Sequence, residues 1–247
     1  MFFVSFPAAI SLWALQPIKF YMLFDVFQRD GFAVVPAVLN QSQCTAISTS
    51  IDAFASGSPG TRSLLAHDGC RALVATLQAH PTLSVLIPAG HVAVQCTYFE
   101  KSIDNNWLVP IHQDLSIPVR ARVAHPALRG WSDKEGTLFV QPPADLLETL
   151  VAVRIHLDPC LETDGPLQLV PGTHTRGRID AAEASRLKQA GPIVTCTVDR
   201  GGALVMRPLA LHASSKATGT SRRRVLHIVF GPPEPGYGLQ WPATQQA

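Results

Sequence analysis

From about His91 onward the sequence breaks into short β-favouring segments, each closed by glycine, proline or another turn residue. Val92–Tyr98, Pro110–Val119, Leu150–Asp158, Leu167–Val170, Ile193–Val198, Ala203–Arg207 and Arg224–Phe230 read as strands. Short strands at this spacing fold as a sandwich or barrel. The stretch before His91 reads differently. A short helix over Phe24–Arg29 stops at Asp30-Gly31, and Phe32–Pro36 forms a strand. Asn40 or Ser42 caps a helix reaching about Phe54, and a further helix covers Gly69–Ala79 before Pro81. The expected architecture is mainly β, with a flanking N-terminal helical layer. Arg120 to Ala144 is rich in proline and glycine and weakly periodic, so it is expected to be a lid or a disordered loop.

A chain of 247 residues without internal repeats supports one well-buried core. Lys and Arg number 20 against 18 Asp and Glu, a net charge of +2, which gives no reason to expect nucleic acid as a partner. Arg222-Arg223-Arg224 is too short for a nucleic-acid tract and needs another explanation. Five scattered cysteines with no CxxC pair fit reduced, buried thiols and a cytoplasmic location. Phe2 to Ile18 carries no charge, yet Pro7 and Pro17 interrupt it and no basic residue precedes it. Membrane insertion is therefore not expected. Residues 1–21 are read as a dispensable apolar extension, 22–234 as the functional domain and 235–247 as a tail.

His112-Gln113-Asp114 falls within the second expected strand, where residues i and i+2 share a face. Its imidazole and carboxylate can meet one ion, and His212, at the close of the strand Ala203–Leu211, is the candidate third ligand. Two histidines and a carboxylate on one side of a metal leave positions open opposite, the arrangement of O2-activating non-haem Fe(II) sites. Taken alone, H-x-D is a weak signal. The surroundings of His67, His80, His91, His125 and His174 are loop-like, which suits solvated or capping roles.

The rest of the chain strengthens the motif. Phe27-Gln-Arg-Asp-Gly-Phe-Ala-Val-Val-Pro36, Pro110-Ile-His-Gln-Asp-Leu115 and Asp164-Gly-Pro-Leu-Gln-Leu-Val-Pro-Gly-Thr-His174 are followed by Gly201-Gly-Ala-Leu-Val-Met206, Leu211-His-Ala-Ser214 and Arg222-Arg-Arg-Val225. In this order and spacing, over Phe24 to Pro232, the chain resembles the phytanoyl-CoA dioxygenase family of Fe(II)/2-oxoglutarate oxygenases. The resemblance implies a double-stranded β-helix (jelly-roll) core, Fe(II) as metal, and 2-oxoglutarate and O2 as cosubstrates acting on a small-molecule substrate. It implies His112, Asp114 and His212 as the catalytic iron ligands.

It also implies a basic anchor for the distal carboxylate of 2-oxoglutarate about eleven residues beyond the second histidine, at Arg223. A guanidinium suits a carboxylate because it offers two parallel donors. Alternation places Arg223, Val225 and His227 on one face, with Arg222 and Arg224 pointing away as the alternates and read as a solvated basic pair. Ser214 matches a family position that helps hold the same carboxylate, and Thr97 falls near another cosubstrate position. Arg154 stands where the family often has an aromatic, and a polar face through Arg154 and His156 suggests a wet cavity wall. Lys101, Trp107, Gln141 and His156 are the candidate substrate contacts. Asp114 points to hydroxylation, because related halogenases replace this carboxylate with a small residue. Two rivals stay open: a non-catalytic jelly-roll protein that binds a ligand or senses iron or 2-oxoglutarate, and a dioxygenase that does not use 2-oxoglutarate. Substrate identity and oligomeric state are not legible.

Overall fold

In a computed structural model, which describes residues 16–55, 60–62 and 64–242, the N-terminal third is largely helical. Helix α1 (Gln16–Asp30) leads into β1 (Phe32–Val35), α2 (Gln41–Ala55), β2 (Gly60–Thr61), α3 (Asp68–Ala79) and α4 (Leu83–Leu86). Gly31 ends α1 at φ 84°, and any Cβ there would lie 2.4 Å from the His174 ring, so the Asp30-Gly31 break is a packing requirement. His174 is accordingly buried against α1, with Nε2 3.2 Å from the Gln28 carbonyl in the helix's last turn, so of the two roles expected it takes the capping one and not the solvated one. Asn40 caps α2: its Oδ1 accepts from the Gln43 amide at 2.9 Å, while Gln43 Oε1 accepts from the Asn40 amide.

The β region contains β3 (Val92–Lys101), β4 (Val109–His112), β5 (Ile117–Val119), β6 (Arg129–Lys134), β7 (Thr137–Gln141), then α5 (Ala144–Thr149) and β8 (Val151–His156). There follow β9 (Leu167–Leu169), α6 (Ala181–Ala190), β10 (Val194–Cys196), β11 (Ala203–Met206), β12 (His212–Ser214) and β13 (Arg223–Gly231). All named strand pairs are antiparallel, in a large sheet β1-β11-β8-β13-β3-β2 and a smaller sheet β10-β9-β12-β4. This is the double-stranded β-helix.

Three expectations need correcting. The expected strand Pro110–Val119 is two strands with a loop between them, so Asp114 stands beyond the end of β4. Likewise β11 stops at Met206, and His212 opens β12 in the opposite sheet after a turn through Arg207–Ala210. The segment 120–144 is not disordered: β6 and β7 form a hairpin whose turn takes Glu135 and Gly136 at positive φ, and β5 completes a three-stranded sheet.

Alternation along the large sheet separates two cores. Val153 and Ile155 of β8, and Leu226, Ile228 and Phe230 of β13, face the helices and pack on Phe27, Ile51, Leu73 and Leu77. Ala152, Leu204, Met206 and Val229 face inward and pack on Leu167, Leu169 and Cys196 of the smaller sheet. The expected boundary at Met22 falls inside α1, while most of the apolar extension lies outside the described residues. The expected C-terminal tail is in part core: Leu239 and Trp241 are buried in the inner cluster, and Trp241 Nε1 donates to the Pro232 carbonyl at 2.8 Å. All five cysteines are free and buried. Among the described residues no helix is long and apolar enough to cross a membrane.

Candidate metal centre and cavity

The inward face of the large sheet and the smaller sheet enclose a cavity of about 410 Å³. On its smaller-sheet wall, β4 and β12 pair so that His112 and His212 stand opposite one another, ring centroids 4.2 Å apart. The loop after β4 brings the Asp114 carboxylate to 3.6 Å from His112 Nε2 and 3.7 Å from His212 Nε2. That loop is fixed at its middle residue. Gln113 Nε2 donates to the carbonyls of Gly177 and Leu209, and its Oε1 accepts from the Ile179 amide, each at 2.8 Å.

One potential ligand atom from each of His112, Asp114 and His212 lies within 4.8 Å of the others. His112 Nδ1 is 2.9 Å from the Pro110 carbonyl and His212 Nδ1 is 2.9 Å from the Ala210 carbonyl. A carbonyl only accepts, so each Nδ1 carries the proton and each Nε2 presents a lone pair towards the other ligands. Burial presses the His212 ring down to a pKa of about 4, which keeps it neutral. Burial opposes the charged form of Asp114, but His212, His112 and His227 outweigh it and hold the carboxyl well below its ordinary range. Against the opposing effect of burial, Asp114 holds the His112 ring above its ordinary pKa. The donor set is two imidazoles and one carboxylate, with the cavity in front of them. That composition fits Fe(II) with positions left open.

The large-sheet wall carries the cations. Arg223 and Lys101 are register partners on β13 and β3, and both are buried. Lys101 Nζ donates to Ser214 Oγ and the Ser215 carbonyl, each at 2.6 Å, and stands 5.4 Å from the Trp107 ring centroid. Ser214 Oγ donates to the Gly165 carbonyl at 2.8 Å, and Arg223 Nη1 donates to the same oxygen. Gly165 is at φ 63°, where a Cβ would meet the Ser215 carbonyl at 2.5 Å, so this convergence requires glycine. Among the described residues Arg223 Nε has no hydrogen-bond partner. Lys101, expected to contact substrate, thus stands with Arg223 and Ser214 at the cationic end of the cavity. Burial, then repulsion from Arg223, lowers its pKa to about 8.

Arg154, 8% exposed, donates from Nη1 to His227 Nδ1 at 3.0 Å and lies over the Phe99 ring, 5.4 Å from its centroid. The donor at Nδ1 leaves the proton of His227 on Nε2, 4.0 Å from Asp114 Oδ2. Burial and then Arg154 press His227 down to a pKa of about 3. Thr97 lines the cavity and accepts from Gln95 Nε2 at 2.9 Å, and Trp107 and Gln141 line it too. Gln141 Oε1 is held by Arg178 Nη1 at 3.1 Å.

His156 does not line the cavity. It shares a β8 face with Arg154 but lies two residues nearer the strand end, buried beside Arg154 and Arg223, with neither ring nitrogen hydrogen-bonded. Arg222 and Arg224 point away from the cavity; Arg222 is exposed as expected, Arg224 is largely covered, and both are ion-paired. Arg222 pairs with Glu100 at 2.7 Å and Asp52 at 2.8 Å, and Arg224 with Asp158 at 2.7 Å and Asp52 at 3.0 Å.

Three titratable lining residues, His227, Lys134 and Arg62, had no role in the sequence reading. His227 was visible in the alternating set with Arg223. Lys134 and Arg62 carried no signal, because their strands were read as loop or chain break.

The phytanoyl-CoA dioxygenase (PhyH) family model matches residues 27–225. Among solved structures, the non-haem α-ketoglutarate-dependent carbocyclase SnoK from nogalamycin biosynthesis is similar at 17% identity and TM-score 0.66, over 88% of this chain and 87% of that one. The epimerase SnoN of the same biosynthesis is similar at 15% identity and TM-score 0.65, over 90% and 88%. HygX from Streptomyces hygroscopicus, with nickel and 2-oxoglutarate bound, is similar at 15% identity and TM-score 0.60, over 85% and 86%. These likenesses speak to the fold. No curated protein matches.

Proposed function

The chain belongs to the phytanoyl-CoA dioxygenase family, and from that premise we propose that it is an Fe(II)/2-oxoglutarate-dependent oxygenase that hydroxylates a small-molecule metabolite, releasing succinate and CO2. The observation carrying this reading is the convergence of His112, Asp114 and His212, each imidazole locked with Nε2 inward, on a cavity whose opposite wall bears Arg223. Iron bound there would supply O2 activation and the oxidising power for breaking a C–H bond.

The protein's own residues bind and orient. His112, Asp114 and His212 would hold the metal. Arg223 offers a fork of donors to the distal carboxylate of 2-oxoglutarate, Lys101 a second positive charge and Ser214 a hydroxyl, so that cosubstrate and metal are held in one register. Arg154 and Thr97 line the wall between the two ends and would contact the cosubstrate. His227, held by Arg154, directs its Nε2–H at Asp114 and steadies the carboxylate that completes the metal set. Trp107 and Gln141 are assigned to substrate.

Retention of Asp114 favours hydroxylation. The similar folds of an epimerase and a carbocyclase favour a second outcome, in which a broken C–H bond is resolved without oxygen insertion. One experiment addresses all of this: incubate the Fe(II)-loaded protein with 2-oxoglutarate, O2 and fractionated metabolites, then measure succinate and product mass together. Substrate-dependent succinate with one added oxygen atom in the product supports the proposal. Succinate without added oxygen selects the second outcome, and absence of substrate-dependent succinate favours a binding or sensing protein.

A further inference from the structure

The cavity's fixed charges do not cancel. Among the described residues, Arg62, Lys101, Lys134, Arg154 and Arg223 line it against a single carboxylate, Asp114. Glu135, which does not line the cavity, answers Arg62 at 2.6 Å. Fe(II) and 2-oxoglutarate carry equal and opposite formal charges, so loading leaves the sum unchanged. With Asp114 set against one cation, three positive charges still lack a partner. Buried charge without a counter-charge is costly, so a surplus of this size points to an anion that is not part of the protein.

The surplus has a definite location. Arg223 and Lys101 serve the distal end of the cosubstrate, and Arg154 holds His227 while its Nε has no partner. Lys134 has none of these duties. It closes β6 on the hairpin across the cavity and is partly buried. Its ammonium lies 4.7 Å from the Phe139 ring centroid, and no acidic group pairs with it among the described residues. Burial and then Arg62 weaken its hold on its proton, while Asp114 strengthens it. The hairpin tip is fastened over the mouth: Glu135 also accepts from the Arg62 amide at 2.9 Å and from Thr61 Oγ1 at 3.1 Å. Lys134 is thereby held facing the cavity instead of swinging into solvent.

We propose that the substrate is an organic anion whose carboxylate or phosphate docks on Lys134, with its apolar body against Phe139 and Leu115. This rests on the reading that Fe(II) and 2-oxoglutarate fill the floor of the cavity. An anion held on the hairpin leaves the rest of the molecule to reach the metal, and the positive cavity would also speed its capture.

The test uses the full chain loaded with Ni(II) and 2-oxoglutarate, which does not turn over. Phenylacetate and phenyl phosphate are titrated against neutral phenylacetamide by calorimetry, in the wild type, Lys134→Gln and Lys134→Arg. The two anions are expected to bind about tenfold or more tighter than the amide, a preference lost in Lys134→Gln and kept in Lys134→Arg. Which anion binds tighter distinguishes a carboxylate substrate from a phosphate one. Equal binding of amide and anions, no anion binding at millimolar concentration, or a preference that survives Lys134→Gln would each overturn the proposal. The 2-oxoglutarate titration that precedes the probes separates the two readings. If 2-oxoglutarate fails to bind, the proposed function falls; if it binds and the anion preference is missing, only this inference falls.

Discussion

The two faces of strand β13 treat the same residue type in opposite ways. On the helical side Arg224 meets Asp158 and Asp52, and its neighbour Arg222 meets Glu100 and Asp52, so each guanidinium has carboxylates supplied by the fold. One residue away, on the inner side, Arg223 finds among the described residues only a carbonyl and the Cys160 sulfur, and shares its pocket with the Lys101 ammonium. The apolar residues divide likewise, with Leu226, Ile228 and Phe230 joined to the helical core while Val229, together with His227, lines the cavity. The outer face is complete without a ligand. The inner face is electrostatically incomplete, and that is the physical mark of a binding site. Substitutions outside should therefore cost stability, and substitutions inside should cost binding.

The largest break in this comparison is expected at the metal ligands. Asp114→Ala and His212→Ala should each lose Fe(II) retention entirely, with the melting temperature of the metal-free protein little changed, because an open site does not hold the fold together. Full iron stoichiometry in either variant, measured after desalting, would remove that residue from the centre.

Next in size is Arg223. Each charged hydrogen bond contributes about 1.5–3 kcal/mol, so Arg223→Ala should weaken 2-oxoglutarate binding by about one to a few powers of ten. Arg223→Lys should fall between, having charge without the fork. Arg222→Ala and Arg224→Ala should leave that affinity unchanged and lower the melting temperature instead. Calorimetry and thermal unfolding on the same four variants decide whether the faces are separable.

Lys101 sharpens the comparison through pH. Its ammonium titrates near 8 in the ligand-free protein, below its ordinary 10.5, because burial and Arg223 disfavour the charge. A bound carboxylate favours the charged form. Apparent 2-oxoglutarate affinity should therefore be full below pH 8 and fall as pH rises through it, by up to about tenfold per unit. The free protein changes the other way, the depressed pKa making it more stable as pH rises from about 8 towards 10.5. Lys101→Met should bind weakly, with a flat profile over the same range.

The smallest effect is expected where a residue has the inner face but not the cavity. His156→Leu should shift stability by about 1 kcal/mol or less, in either direction, since both ring nitrogens are already without partners. It should leave 2-oxoglutarate affinity alone. Ile155→Ala, its outward neighbour and fully buried, should cost about 2–5 kcal/mol with affinity equally untouched.

How much of this was legible in the sequence follows from the period of a strand. Alternation placed Arg223 inward between Arg222 and Arg224, and put Arg154 on a polar face, because both lie in long strands where period two holds. The same rule misled at Asp114, which shares a side with His112 only because the chain turns just after β4. It misled at His156 as well, since a shared face does not say how far along the strand a cavity extends. Lys134 was invisible: the β6–β7 hairpin has a weak apolar pattern in a segment crowded with proline and glycine, and pairing with β5, not local propensity, makes it a sheet. Helix α6 was missed for a related reason, its sequence AAEASRLKQA offering few apolar positions and its start resting on a single Asp180 cap.

The central claim is that one cavity holds iron on His112, Asp114 and His212 and 2-oxoglutarate on Arg223. The most direct measurement is anaerobic titration of 2-oxoglutarate into the Fe(II)-loaded protein, following the visible charge-transfer band that appears when the keto acid chelates iron. The account predicts that the wild type develops the band and saturates, and that Arg223→Ala develops it only at about tenfold or more higher 2-oxoglutarate. His212→Ala should show no band at any concentration. A wild-type protein that binds iron but never develops the band, or an Arg223→Ala titration that overlays the wild type, would contradict it.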